Sequence, residues 1–195
     1  MARSEPRERT PACGTLGRVG TERNERQLLM IADTAPMSER LGVQIWLRGG
    51  WAMDFFLGQV TREHVDIDWN AWIDDAPAIT AALHADGYQT LPGPPPDQQL
   101  DVVKDGEEMS VAWLAHGDDG NVTVAGGAYA GEPWPDGMLD WPPGCIGAVQ
   151  CPIINPHVQI ECKEMWPVWV PTRPRRPKDA DDITRLRQAL RSIQP

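Results

Sequence analysis

The stretch Trp46-Leu-Arg-Gly49-Gly50-Trp51-Ala-Met-Asp54-Phe-Phe-Leu57-Gly58-Gln-Val-Thr-Arg62-Glu-His64-Val-Asp66-Ile-Asp68-Trp69 decides how this chain is read. Val43, Ile45 and Leu47 alternate with more polar neighbours and predict a strand that runs into the Gly49-Gly50 pair. A short helix over Trp51–Leu57 follows, ended by Gly58, and a polar turn with Arg62 and His64 leads to a second strand. In that strand Asp66 and Asp68 are two residues apart, so both carboxylates stand on one face. Two like charges so placed raise each other's pKa unless a cation lies between them, and the spacing asks for a divalent metal. The glycine pair supplies the other half. Backbone without Cβ lets a ligand approach, and the amides at a helix N-terminus attract anions. A cation held by carboxylates next to an anion site has the layout of a metal–nucleotide site.

Gly-Gly-Trp-Ala-x-Asp followed by Arg-Glu-His-x-Asp-Ile-Asp closely resembles the antibiotic nucleotidyltransferases, the lincosamide and aminoglycoside adenylyltransferases of the polymerase-β-like nucleotidyltransferase superfamily. The close match covers Trp46 to Trp69, and a looser one runs on to about Ile193. The resemblance implies a mixed α+β fold: a twisted mixed sheet flanked by helices, with a helix at the C-terminus. It also implies Mg²⁺ as cofactor, ATP as nucleotide donor, and transfer of AMP to a hydroxyl of a small antibiotic. Asp66 and Asp68 would hold the metal. Gly49, Gly50 and Trp51 would line the nucleotide, with Arg62 and His64 beside it. Arg62 is permanently charged and fork-shaped, which suits phosphate; His64 would fix the turn before the carboxylates by hydrogen bonding.

The family supplies a third carboxylate from a later strand, and the matching position here is Ser110, in Glu107-Glu108-Met109-Ser110-Val111-Ala112. A serine hydroxyl is nearly un-ionised at neutral pH and cannot be that base unaided. Glu108, two residues earlier on the same face, is the alternative third acid and metal ligand. If neither completes the site, the chain is a nucleotide-binding protein with little turnover. Asp54 also has two readings. On a helix that starts at Trp51 it lies one turn in, where the dipole stabilises a carboxylate by about 0.3–1 kcal/mol; otherwise it orients Arg62 or His64.

Outside this region the chain supplies context. Residues 1–21 are rich in Arg, Glu, Pro, Gly and Thr and read as a disordered leader, with residues 22–195 forming one nucleotidyltransferase domain. A helix is expected over 22–41, interrupted near Pro36. Another is expected after the acidic Asp74-Asp75 cap. The runs 98–104 and 108–115 read as strands joined by a hairpin at Asp105-Gly106. Trp134, Asp136, Asp140 and Trp141 lie in a Gly- and Pro-rich loop that either walls an acceptor pocket or is pinned by its tryptophans. Asn155-Pro156 opens a helix bearing Lys163, and the basic run Arg173–Lys178 precedes a last helix. Lys163 and Lys178 are candidates for the triphosphate, with solvated and linker roles as the alternatives.

A net charge of −10 argues against a nucleic-acid surface and suits a cationic acceptor, an aminoglycoside before a lincosamide. The four cysteines, Cys13, Cys145, Cys151 and Cys162, form no Cys-x-x-Cys pair. No apolar run approaches the ~18 residues of a membrane span. A cytoplasmic protein without membrane partners is the expectation.

Overall fold

The computed structural model describes residues 21–193, so nearly all of the expected leader lies outside the described residues. Helix α1 (Glu22–Thr34) starts at Thr21, whose hydroxyl accepts from the Asn24 amide. Pro36 and Gly42 bound the short α2 (Met37–Leu41), so the single interrupted helix expected from sequence is two. Strand β1 (Ile45–Arg48) then leads without a loop into α3 (Gly49–Leu57). Gly49 is in the left-handed region at φ 70°, which is how the chain turns from strand to helix in one residue.

Strand β2 (Asp66–Trp72), α4 (Ala76–Ala85), β3 (Gln89–Thr90), β4 (Gln99–Lys104), β5 (Glu107–His116) and β6 (Val122–Val124) follow. The sheet runs β1-β2-β5-β4-β3, with β6 also on β5. Every pairing is antiparallel except β2 with β5. The β4–β5 turn has Asp105 at φ 52° and Gly106 at φ 77°, both left-handed, as a two-residue hairpin of matching twist requires.

Register sorts the side chains. Leu47, Ile67, Trp69, Val102, Met109 and Val111 share one face and are buried. Each such large apolar side chain contributes about 1.5–3 kcal/mol by leaving water. Arg48, Asp66, Asp68, Asp101, Glu108 and Ser110 share the other face. That face cannot be apolar core near β2's start, and it is where the polar groups collect.

Strands β7 (Gly144–Ile146) and β8 (Val149–Cys151) form a hairpin against α3. Gly144 permits the approach, since a Cβ there would stand 2.7 Å from the Phe55 carbonyl carbon. Beyond β8 the chain lies along β1, with Leu47 N donating to Pro152 O at 2.8 Å and Ile154 N to Leu47 O at 3.0 Å. Helices α5 (Pro156–Trp169), capped by Asn155 accepting from the His157 amide, and α6 (Pro177–Ile193) pack on each other and on α3. No helix among the described residues is long and apolar enough to cross a membrane.

Candidate active site

One row of side chains crosses four strands in the order Arg48, Asp68, Ser110, Asp101. In the neighbouring row Asp66 faces Glu108 and Glu108 faces Val103. Asp68 is the centre of the first row. Its Oδ1 accepts from Ser110 Oγ at 2.8 Å and from Arg48 Nη2 at 3.2 Å. Its Oδ2 lies against Gly49, where a Cβ would stand 2.8 Å away. The strand–helix turn and the carboxylate therefore share one small space, which explains a glycine there independently of any ligand.

Asp66, at the exposed end of β2, completes the pair. Desolvation by the surrounding protein raises its carboxyl above the ordinary value, the charge of Asp68 adds to this, and Lys178, Arg48 and Arg176 partly offset it. A carboxylate pair with this mutual cost gains from a cation between its members. Among the described residues no three His, Cys, Asp or Glu side chains converge as a complete metal site. Two carboxylates nonetheless suit magnesium, which is held by one or two of them when phosphate oxygens and waters complete its shell. Glu108 is exposed, next to Asp66 in register, and does not join Asp66 and Asp68 in a metal-holding group.

On the β1 side, cations gather around the start of α3. Arg62 Nη1 donates to His64 Nδ1 at 3.0 Å and to Glu63 O at 3.2 Å, and Nη2 reaches Asp182 at 3.5 Å. A guanidinium only donates, so Nδ1 must accept, and Nε2 carries the proton given to Asp54 Oδ2 at 2.7 Å. Asp54 also accepts from Thr61 N at 3.0 Å and Thr61 Oγ1 at 2.6 Å. The dipole role considered for Asp54 is corrected: α3 begins at Gly49, which puts Asp54 in its second half, and the carboxylate binds the turn instead. Gly50 makes room for this pair, because a Cβ there would be 2.5 Å from both Arg62 Nη2 and His64 Nδ1.

Trp51 and His64 are 1% and 2% exposed, their rings 4.5 Å apart, and Trp51 Nε1 donates to Gln27 Oε1 at 2.9 Å. Their side chains are buried behind the turn, so the Trp51 ring does not line an open nucleotide site.

Lys163 Nζ donates to Asp182 at 2.8 Å and Asp179 at 3.5 Å, so it is paired, not solvated. Arg176 Nη2 and Nε bond Asp179 at 3.0 and 3.2 Å. Burial would raise the Asp179 and Asp182 carboxyls, yet donation from Arg176 to the first and Lys163 to the second holds both below the ordinary range. Lys178 is pulled the other way, its ammonium pushed down by burial and by Arg62 and Arg176 nearby. Four cations, Arg62, Lys163, Arg176 and Lys178, thus converge from three segments. The sequence reading missed Arg48, Asp101, and the pairing of Asp179 and Asp182 with the cations, because each depends on strand register or helix docking.

The family model described as aminoglycoside-2''-adenylyltransferase matches residues 30–152. This chain belongs to that family. The matched span holds β1, α3, β2 and β5, hence the glycine pair, Asp66, Asp68 and Ser110, while Lys163 and the start of α6 lie beyond it. A lincosamide resistance protein of Staphylococcus haemolyticus is 29% identical over 108 residues, which are 54% of this chain and 65% of that protein. Two solved structures share the fold. The lincosamide antibiotic adenylyltransferase LnuA with lincomycin bound superposes with a TM-score of 0.65 at 21% identity, covering 85% of this chain and 97% of that one. ANT(2'')-Ia in complex with adenylyl-2''-tobramycin gives 0.68 at 20% identity, covering 85% and 90%.

Proposed function

We propose that this chain is a magnesium-dependent adenylyltransferase that moves AMP from ATP to a hydroxyl of a small cationic antibiotic, an aminoglycoside before a lincosamide, in the cytoplasm. The observation that carries the reading is the Asp66–Asp68 pair at the N-terminus of α3, with Arg62, Lys163, Arg176 and Lys178 gathered on the same side. The relatives named above, one described with lincomycin and one with an adenylylated tobramycin, support the substrate class.

In this account Asp66 and Asp68 hold Mg²⁺ against the triphosphate. Bound there, the metal supplies Lewis-acid polarisation of the phosphate and neutralises charge on the leaving pyrophosphate. The amides at the start of α3 and the Arg62 guanidinium hold the phosphates. Lys163 and Lys178 add charge, Lys163 by exchanging its Asp182 partner for a phosphate oxygen. Arg48 and Ser110 fix the angle of Asp68. The net charge of −10 favours an acceptor carrying amines.

A second reading is nucleotide binding without turnover, favoured by one observation: Ser110 donates to Asp68 where the resemblance expects an acid. Incubation with Mg²⁺, ATP and a panel of aminoglycosides and lincosamides separates the two. Pyrophosphate release with an adenylylated product supports transfer, whereas magnesium–ATP binding by calorimetry with no release on any acceptor supports the second.

A further inference from the structure

We propose that Asp101 is the catalytic base of this site, taking the proton of the acceptor hydroxyl from the strand beyond Ser110; the inference rests on the transferase reading above. The α3 N-terminus follows directly from β1, Arg62 stands against Gly50 there, and Lys163 meets Arg62 on Asp182, which puts the triphosphate on the β1 side of Asp68. Displacement at the α-phosphorus is in line, with nucleophile and leaving group on opposite sides. The pyrophosphate leaves toward β1 and α6, and the acceptor therefore enters over β5 and β4. A carboxylate serving it must stand on the far side of Ser110 from Asp68.

Asp101 does so. It is the register partner of Ser110 on the same face, and one strand spacing of roughly 4.8 Å separates their backbones. Ser110 is short and turns its hydroxyl to Asp68, so it does not itself offer a hydrogen bond to Asp101. Gln99 Nε2 donates to Asp101 Oδ1 at 2.5 Å and fixes the carboxylate. Oδ2 makes no hydrogen bond among the described residues, and it lies against Gly93, where any Cβ would overlap it. The glycine in the otherwise stiff Pro92–Pro96 connection thus keeps room for this group. Glu108 shares the face but stands in the Asp66 row, exposed and without a partner to orient it among the described residues.

In the step, the acceptor oxygen bonds to the α-phosphorus as the bond to the α,β-bridging oxygen breaks. Pyrophosphate leaves with that electron pair, and the hydroxyl proton passes to Asp101 Oδ2 and then to water. The products are the AMP ester of the acceptor, pyrophosphate and one proton.

The test uses the full chain with an aminoglycoside that the wild type adenylylates. Asp101→Asn is expected to lower kcat by about 10²–10⁴-fold, the usual worth of a general base, while magnesium–ATP affinity by calorimetry stays within about twofold. Adding Ser110→Asp to Asp101→Asn returns a carboxylate one strand nearer and is expected to recover at least about tenfold of the loss, which a structural role for Asp101 would not allow. The proposal is overturned if Asp101→Asn turns over like wild type, if it loses magnesium–ATP affinity in step with kcat, or if Glu108→Gln alone shows the kcat loss. A wild type inactive on every acceptor overturns the transferase reading and this inference together; an active wild type with an indifferent Asp101→Asn overturns only this one.

Discussion

Replacing Gly49 by alanine perturbs backbone and carboxylate at once, and the two effects are separable. Gly49 has φ 70°, where an L side chain costs about 1–2 kcal/mol. The new methyl would also stand 2.8 Å from Asp68 Oδ2, so the carboxylate must retreat by about 0.6 Å to reach ordinary contact at 3.4 Å. Retreat stretches the bonds that Oδ1 receives from Ser110 and Arg48 at 2.8 and 3.2 Å, a further cost of about 1 kcal/mol. The sum, about 2–3 kcal/mol, corresponds to a fall in Tm of roughly 4–12 °C for a chain of this size. If Asp68 holds the metal as proposed, displacing its carboxylate is expected to weaken magnesium–ATP binding about tenfold, equivalent to 1.4 kcal/mol. Gly42→Ala is the internal control. It has the same left-handed backbone at φ 68° but nothing within 4 Å of the built Cβ, so it should lose about 1–2 kcal/mol of stability and none of the affinity. Thermal unfolding and calorimetry on both variants read the two effects. Gly49→Ala matching Gly42→Ala in both would refute the shared space between turn and Asp68.

Three other perturbations follow from the same contacts. Glu107, 2% exposed, accepts from Arg23, Arg26 and Gln27, tying α1 to β5; Glu107→Gln should cost about 1–3 kcal/mol at neutral pH in a urea midpoint. Burial would raise that carboxyl, but the donors hold it below 4.5, so its stabilisation is present above that value and fades as pH falls through the lower folded one, where wild type and variant should converge. Asp54→Asn removes one of the acceptor sites used by Thr61 and His64 and should cost about 1–3 kcal/mol in thermal unfolding, with weaker ATP binding because Arg62 loses its backing. Asp66→Asn should raise the Tm of the ligand-free protein at neutral pH, since a carboxyl whose folded pKa is raised opposes folding when charged; the gain should fade as pH falls through the folded value and be gone below the ordinary value of 3.8.

The β1–α3–β2 unit was legible because its signals are local: period-two apolar residues, a glycine pair and an i, i+2 pair of aspartates. The β4–β5 hairpin was legible for the same reason, through Asp105-Gly106. Asp101 was not, because its position beside Ser110 depends on which strands are neighbours and on a register that no local pattern encodes. Arg48 was hidden by standing next to Gly49, where the strand's last residue looks like the end of an apolar run. Asp54 was misplaced by a helix start two residues off, enough to move it from the positive half to the second half. Asp179 and Asp182 have no local signal beyond acidic residues at a helix start; only the docking of α5 beside α6 brings Lys163 to them. Trp51 carries the family pattern strongly yet its ring serves the core, packed on His64 and bonded to Gln27.

The central claim is that Asp66 and Asp68 acquire their role through a cation shared with a triphosphate at the α3 N-terminus. Calorimetric titration of ATP with and without Mg²⁺, on wild type and Asp68→Asn, tests it most directly. The account predicts magnesium-dependent binding by the wild type and a loss of at least about tenfold in the variant. Equal affinity in all four titrations would contradict it.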